Sequence, residues 1–232
     1  MRAQNIMVTE YALKNFLPSE ATLANLEMTA TEEPPRRRGR PASGAHEAIL
    51  EATLAILREH GIANLTSREV AARAGVSDAS VYYHFGDRAG LLQAVFEHGM
   101  KPLKFMFGLD SETMDPPTVL RGASGALERF FDEVLPVLLA AQADPELRAA
   151  LAGYVEAKDL GPHKGVQMLG AYLRAEQAAG RVNPHADPDA IALLVIDAAF
   201  GRAARRQMLL HHSNEPLPSS DALLAEINRL LR

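Results

Sequence analysis

Cysteine is absent from the 232 residues, which excludes disulfides, thiolate metal sites and cysteine nucleophiles and is compatible with a reducing cytosol. No apolar run approaches the roughly 20 residues that a membrane-spanning helix needs. Glu10, Lys14 and Glu20 interrupt every candidate apolar stretch near the start, so the leader does not read as a secretory signal. The expected address is the cytoplasm, with no membrane partner. Segments with strand-like alternation are also missing, as are internal repeats. Histidines stand at 163, 185, 211 and 212, but without a helical His-x-x-x-His pair or a His-Glu motif. No metal and no cofactor are therefore expected. Without a nucleophile elbow or a glycine-rich phosphate loop, an enzyme is not expected either.

What is present is an uneven charge. The net formal charge is −5, yet residues 36–104 carry ten basic against seven acidic side chains, while residues 105–232 carry twelve against seventeen. A locally positive stretch on an acidic protein lets one face approach phosphate while the rest is repelled. Hydrophobic residues make up 47% of the chain, enough for a sizeable core.

Periodicity divides the chain into four parts. Residues 1–35 sustain no period and read as a disordered leader, with a weak helix conceivable from Tyr11 to Leu26. Residues 36–43 form a basic arm in which Gly39 and Pro41 oppose a helix. Residues 44–104 read as short helices. Ile49, Ala52, Ile56 and Leu57 share one face of the first, which stops at Gly61. Thr66-Ser67-Arg68-Glu69 has the form of a reciprocal capping box opening a second helix that runs to Ala74. Gly75 permits a tight turn, and Ser77 caps a third helix ending near Phe85. Leu91, Leu92, Val95 and Phe96 begin a fourth. Residues 105–232 read as helices at about 116–141, 145–157, 163–179, 187–209 and 219–231. The fold class is all-α: an N-terminal three-helix helix-turn-helix domain followed by a C-terminal helical domain.

A helix-turn-helix needs a short second helix, apolar behind and exposed in front, that can lie in the major groove. Val81 and Phe85 supply the rear here. Asp78, Ala79, Ser80, Tyr82 and Tyr83 remain to face outward. Asp78 can accept from cytosine N4 or simply stabilise the helix N-terminus. Ser80 can meet either kind of base edge, and Ala79 a thymine methyl.

The string LTSREVAARAGVSDASVYYHFGDRAGLLQAVFEHG, Leu65 to Gly99, resembles the N-terminal signature of the TetR family of transcriptional regulators. The likeness rests on the Thr-started helix, Ala-Gly-Val-Ser at the turn, Tyr-x-His-Phe ending the reading helix, and a basic residue before a Leu-Leu pair. It covers roughly residues 44–104. Arg88 stands where the family usually has lysine, and Gly90 where it has a better helix former. The resemblance implies a sequence-specific DNA-binding regulator, in the family default a repressor released from a palindromic operator by a small-molecule inducer. Thr66, Tyr82, His84 and Arg88 then correspond to phosphate-contacting or helix-positioning residues. Ser67, Arg68 and Ser77 lie at helix starts that can meet the backbone, and Tyr83 at a base-reading position. Tyr82 and His84 can alternatively buttress the turn.

Arg36, Arg37, Arg38 and Arg40 invite a further reading. Arg38-Gly39-Arg40-Pro41 resembles an AT-hook, which fits a narrow minor groove, although the same residues can serve as a solubilising linker. An architectural DNA binder of low sequence preference is the rival such an arm suggests. One short helix reads few bases, so a homodimer on double-stranded operator DNA is expected. The small residues Ala198 and Gly201, with the stripe Leu223, Leu224, Ile227 and Leu230, can form its interface or face the chain's own core. Family resemblance favours the interface. Phe105, Phe107, Met114, Phe130, Phe131, Tyr154, Met168 and Tyr172 can likewise line a pocket for an unidentified effector or fill the core.

Overall fold

The computed structural model describes residues 42–103, 114–208 and 217–232, all of whose regular structure is helical. The helices are α1 (Ala42–His60), α2 (Ser67–Ala74), α3 (Asp78–Phe85), α4 (Arg88–Gly99), α5 (Pro116–Gln142), α6 (Pro145–Ala157), α7 (Pro162–Ala178), α8 (Pro188–Gln207) and α9 (Ser220–Leu230), with a 3-10 turn at Ile62–Asn64 after α1. The leader, the basic arm up to Pro41 and the boundary near residue 104 lie outside the described residues.

Local chemistry sets the helix starts. Asp115, Asp144 and Asp187 each cap a helix through side-chain oxygen, and each is followed by proline at the first helical position, where the missing N–H costs nothing. Ser219 caps α9 in the same way, its hydroxyl accepting from the Ala222 amide at 3.1 Å. None of the described helices is long and apolar enough to cross a membrane.

Ala45–Arg232 pack as one compact unit. The long α5 is its axis, touching α4, α6, α8 and α9, while α8 also packs on α7 and α9. Leu120, Leu127, Leu169, Leu173, Val195 and Ile196 are buried where α5, α7 and α8 meet. Nearer the start, Ile49 and Ile56 of α1, Val70 of α2, Val81 of α3 and the Leu91-Leu92 pair of α4 are sealed from solvent. Burying each such side chain contributes about 1.5–3 kcal/mol, so α2 and α3 are held by packing rather than by their own length.

Glu176 of α7 is fully buried, an expensive place for a carboxylate. Arg181, past the end of the helix, compensates with two hydrogen bonds of 2.7 and 2.8 Å to it. The pair clasps the turn that leads into α8.

Candidate nucleic-acid interface

The turn between α2 and α3 is built from backbone geometry. Gly75 takes the left-handed conformation, φ 69° and ψ 35°, which strains any residue with a Cβ. Val76 N–H then bonds the Ala71 carbonyl at 3.0 Å, closing α2 with a Schellman-type bond. Ser77 follows in extended conformation, and its hydroxyl accepts from the Ser80 amide at 3.1 Å to start α3. At the other end of α2, Thr66 Oγ1 accepts from the Glu69 amide, also at 3.1 Å. The expected box is only half formed. The Thr66 amide donates to the Asn64 carbonyl at 3.0 Å instead, because the 3-10 turn delivers that acceptor first.

Val81 and Phe85 bury their side chains and fix one face of α3. The opposite face is open. Ser77, Asp78 and Ala79 are exposed and Ser80 and His84 half-buried, while Tyr82 and Tyr83 are 71% and 84% exposed. Two tyrosines so exposed on one short helix are an unusual concentration of apolar surface in water. Thr66 and Arg68 are also exposed and Ser67 half-buried.

Arg88 has intramolecular partners. Its Nη2 donates to the Ile62 carbonyl at 3.2 Å and its Nη1 lies 3.7 Å from Asp144, tying the 3-10 turn after α1 to the start of α6. The glycine two residues later has a local cause, since a Cβ at Gly90 would collide with the Phe85 carbonyl oxygen. The helix former usual in the family has no room against this end of α3.

His46 of α1 was not legible as part of the site. Its ring lies 4.7 Å from that of Phe85 and 6.0 Å, edge-on, from that of His84, which in turn meets Tyr83 at 5.2 Å. Burial, then the neighbouring His84 imidazole, depresses the His46 pKa. A histidine at the start of an amphipathic helix gives no such signal in sequence, because its partners are some forty residues away.

The proposed pocket residues fall into two groups. Phe130 and Tyr154 each stand 6.2 Å from Phe96, joining α5 and α6 to α4, and burial, then the Glu97 carboxylate, pushes the Tyr154 phenol pKa up. Met114, Phe131 and Met168 pack instead on the core beside Tyr172, whose hydroxyl donates to the Met114 carbonyl at 2.7 Å. Phe130 and Phe131, 5.0 Å apart, link the two. Phe105 and Phe107 lie outside the described residues, as do Arg36, Arg37, Arg38 and Arg40. The described residues enclose a cleft of about 180 Å³ between α1, α4 and α5, and a groove of about 400 Å³ along α5. Neither is lined by the expected pocket residues.

The expected dimer residues divide too. Leu224 and Ile227 face the chain's own core, so they are not on a face free for a partner. Leu230 is exposed, and Leu223, Ala198 and Gly201 are half-buried. The stripe on α9 is turned inward because its strongest apolar positions pack on α5 and α8. The outward apolar surface belongs to α8, where Leu193, Leu194 and Phe200 are exposed.

A capped helix pair meeting at a left-handed glycine, apolar behind and aromatic in front, defines a helix-turn-helix protein. Residues 49–95 match the family described as "Bacterial regulatory proteins, tetR family". The HTH-type transcriptional regulator SrpR of Pseudomonas putida is 31% identical over 75 residues, 32% of this chain and 35% of SrpR. The chain therefore aligns with about a third of that relative's length. Among solved structures, Salmonella enterica GusR superposes with a TM-score of 0.58 at 18% identity, covering 84% of this chain and 99% of GusR. NalD of Pseudomonas aeruginosa, described as the secondary repressor of the MexAB-OprM multidrug efflux pump, gives 0.55 at 18% identity, covering 82% and 98%. These two show the fold. The family match and the sequence similarity fall on the helix-turn-helix, so in this part the chain is similar to the TetR family of bacterial regulators.

Proposed function

We propose that the protein is a sequence-specific DNA-binding transcriptional regulator that lays α3 in the major groove of a palindromic operator as a homodimer. The observation that carries this reading is the open face of α3, with Asp78, Ala79, Tyr82 and Tyr83 in solvent over a rear anchored by Val81 and Phe85. Thr66, Ser67, Arg68 and Ser77 stand at the two helix starts, where amides and hydroxyls meet phosphate. Arg36 to Arg40 would follow the adjacent minor groove, and Arg88 and His84 would flank the backbone contacts. On this reading the protein works on the chromosome, in the bacterial cytoplasm.

Repression relieved by a small apolar effector is the finer part of the reading. It is supported by the family and by the aromatic row Phe96, Phe130, Phe131 and Phe200, which runs from α4, next to the reading helices, to α8. A ligand that preferred one arrangement of those helices would shift DNA affinity by its differential affinity for the two states.

The test is selection of bound duplexes from a random pool at physiological salt. A palindrome with half-sites about one helical turn apart is expected. Recovery of duplexes with no common motif would favour an architectural protein, and recovery of none would end the proposal.

A further inference from the structure

A helical residue donates its N–H to the carbonyl four positions earlier, and proline has no N–H to give. Pro136 is buried inside α5, so the Asp132 carbonyl lacks its helical partner. Two side chains from other helices take the place. Arg58 Nη2 of α1 donates to this oxygen at 2.9 Å, and Gln207 Nε2, the last residue of α8, donates at 2.7 Å. Around this point α8 grips α5 with charged bonds. Arg206 reaches the Asp132 carboxylate at 3.0 Å, and Arg202 reaches Glu128 at 2.9 Å and the Ser124 hydroxyl at 3.0 Å.

The helix that arrives from the other side bears on the reading elements. Glu59, next to Arg58, pairs with Arg73 of α2, and His46 rests on Phe85 at the end of α3. One backbone oxygen is thus shared by the helix that supports the reading head and by the helix whose outer face carries the exposed leucines. A carbonyl has two lone pairs, and here both are claimed from outside its own helix.

We propose that the Asp132 carbonyl, freed by Pro136, seats the DNA-reading helices on α5, with Arg58 and Gln207 as positioning residues for DNA binding. The inference rests on the reading of α3 as the DNA-contacting helix. It assigns to Gln207, which belongs to neither α2 nor α3, an effect on DNA affinity. A displacement of the α8 terminus reaches α1 through this oxygen.

The experiment is fluorescence anisotropy on a labelled duplex recovered by the selection above, at two salt concentrations, with helix content checked at the assay temperature. Arg58→Ala and Gln207→Ala are each expected to raise Kd by about twofold to thirtyfold. The double variant should fall short of the product of the two effects, because both act through one acceptor. Salt dependence stays as in the unaltered protein, since no phosphate contact is lost, and Arg58→Lys, which keeps a donor, recovers most of the affinity. Pro136→Ala returns a helical N–H to the carbonyl and should weaken binding in the same direction. Folded single variants with unchanged Kd would overturn the proposal, as would effects that simply multiply. A shallower salt slope for Arg58→Ala would make Arg58 a phosphate contact instead. If Arg58→Ala does not fold, Gln207→Ala and Pro136→Ala decide. A chain that binds no duplex sinks the functional reading, whereas loss of binding in Tyr83→Ala beside unaltered Gln207→Ala and Pro136→Ala sinks only this inference.

Discussion

Tyr83 separates function from stability at a single residue. At 84% exposure its ring contributes little to the core, so Tyr83→Ala should leave the thermal midpoint within a degree or so of the unaltered protein. Operator affinity should fall by about 1–3 kcal/mol, read as an increase in Kd by anisotropy. An unchanged Kd would remove the aromatic face of α3 from the contact. His46 supports a prediction of a different kind. Burial and the adjacent His84 hold its pKa below the ordinary 6.5, so the folded chain resists the proton that the unfolded chain accepts. The stability tied to the neutral ring is complete above pH 6.5 and is lost as pH falls through that value toward the lower folded pKa. Denaturant midpoints at pH 7.5 and pH 5.5 should therefore differ less in His46→Gln than in the parent protein. Equal differences would mean that the ring is not the group responsible.

At the scale of the element, caps determine what was readable. The ends of α2, α3 and α5 to α8 fall within a residue or two of their expected positions, because Thr66, Ser77, the three aspartate–proline starts and Gly75 each impose a local conformation that needs no distant partner. Orientation was less readable. The α9 stripe was apolar on paper, but only packing against α5 and α8 decides that Leu224 and Ile227 turn inward while Leu230 does not. The shared Asp132 carbonyl was invisible for the same reason, since its donors come from residues more than seventy positions away. The half-formed box at α2 yields a comparison of two substitutions. Thr66→Ala removes the oxygen that accepts from the Glu69 amide and should cost about 1 kcal/mol of stability. Glu69→Ala should cost much less, because the Thr66 amide is already bonded to Asn64 and the carboxylate is not needed there. Equal losses in urea denaturation would show that the box closes in solution.

For the whole molecule the question is how two reading helices come to be spaced. On the proposed reading a single α3 spans too few base pairs to specify a site, and a second copy held at fixed distance would supply the remaining affinity and specificity. The surface best suited to that task is the outer side of α8. Leu193, Leu194 and Phe200 are exposed there, beside the small, half-buried Ala198 and Gly201, whose size allows close helix approach. Their cost in water is removed if the same face of a partner covers them, which is how a two-fold interface works. A stable pair would bury about 800 Å² per partner, more than one helix face offers, and Leu230 at the end of α9 is a further exposed leucine. Leu194→Glu would put an unpaired carboxylate against its own symmetry mate while leaving the chain's core untouched. At micromolar concentration the unaltered protein should scatter light with twice the 25.1 kDa of one chain, and the variant with the mass of one. The monomeric variant should keep its helix content but bind a half-site and a full palindrome with similar affinity, whereas the dimer discriminates strongly between them. A variant that stays dimeric and discriminates as before would move the interface off α8.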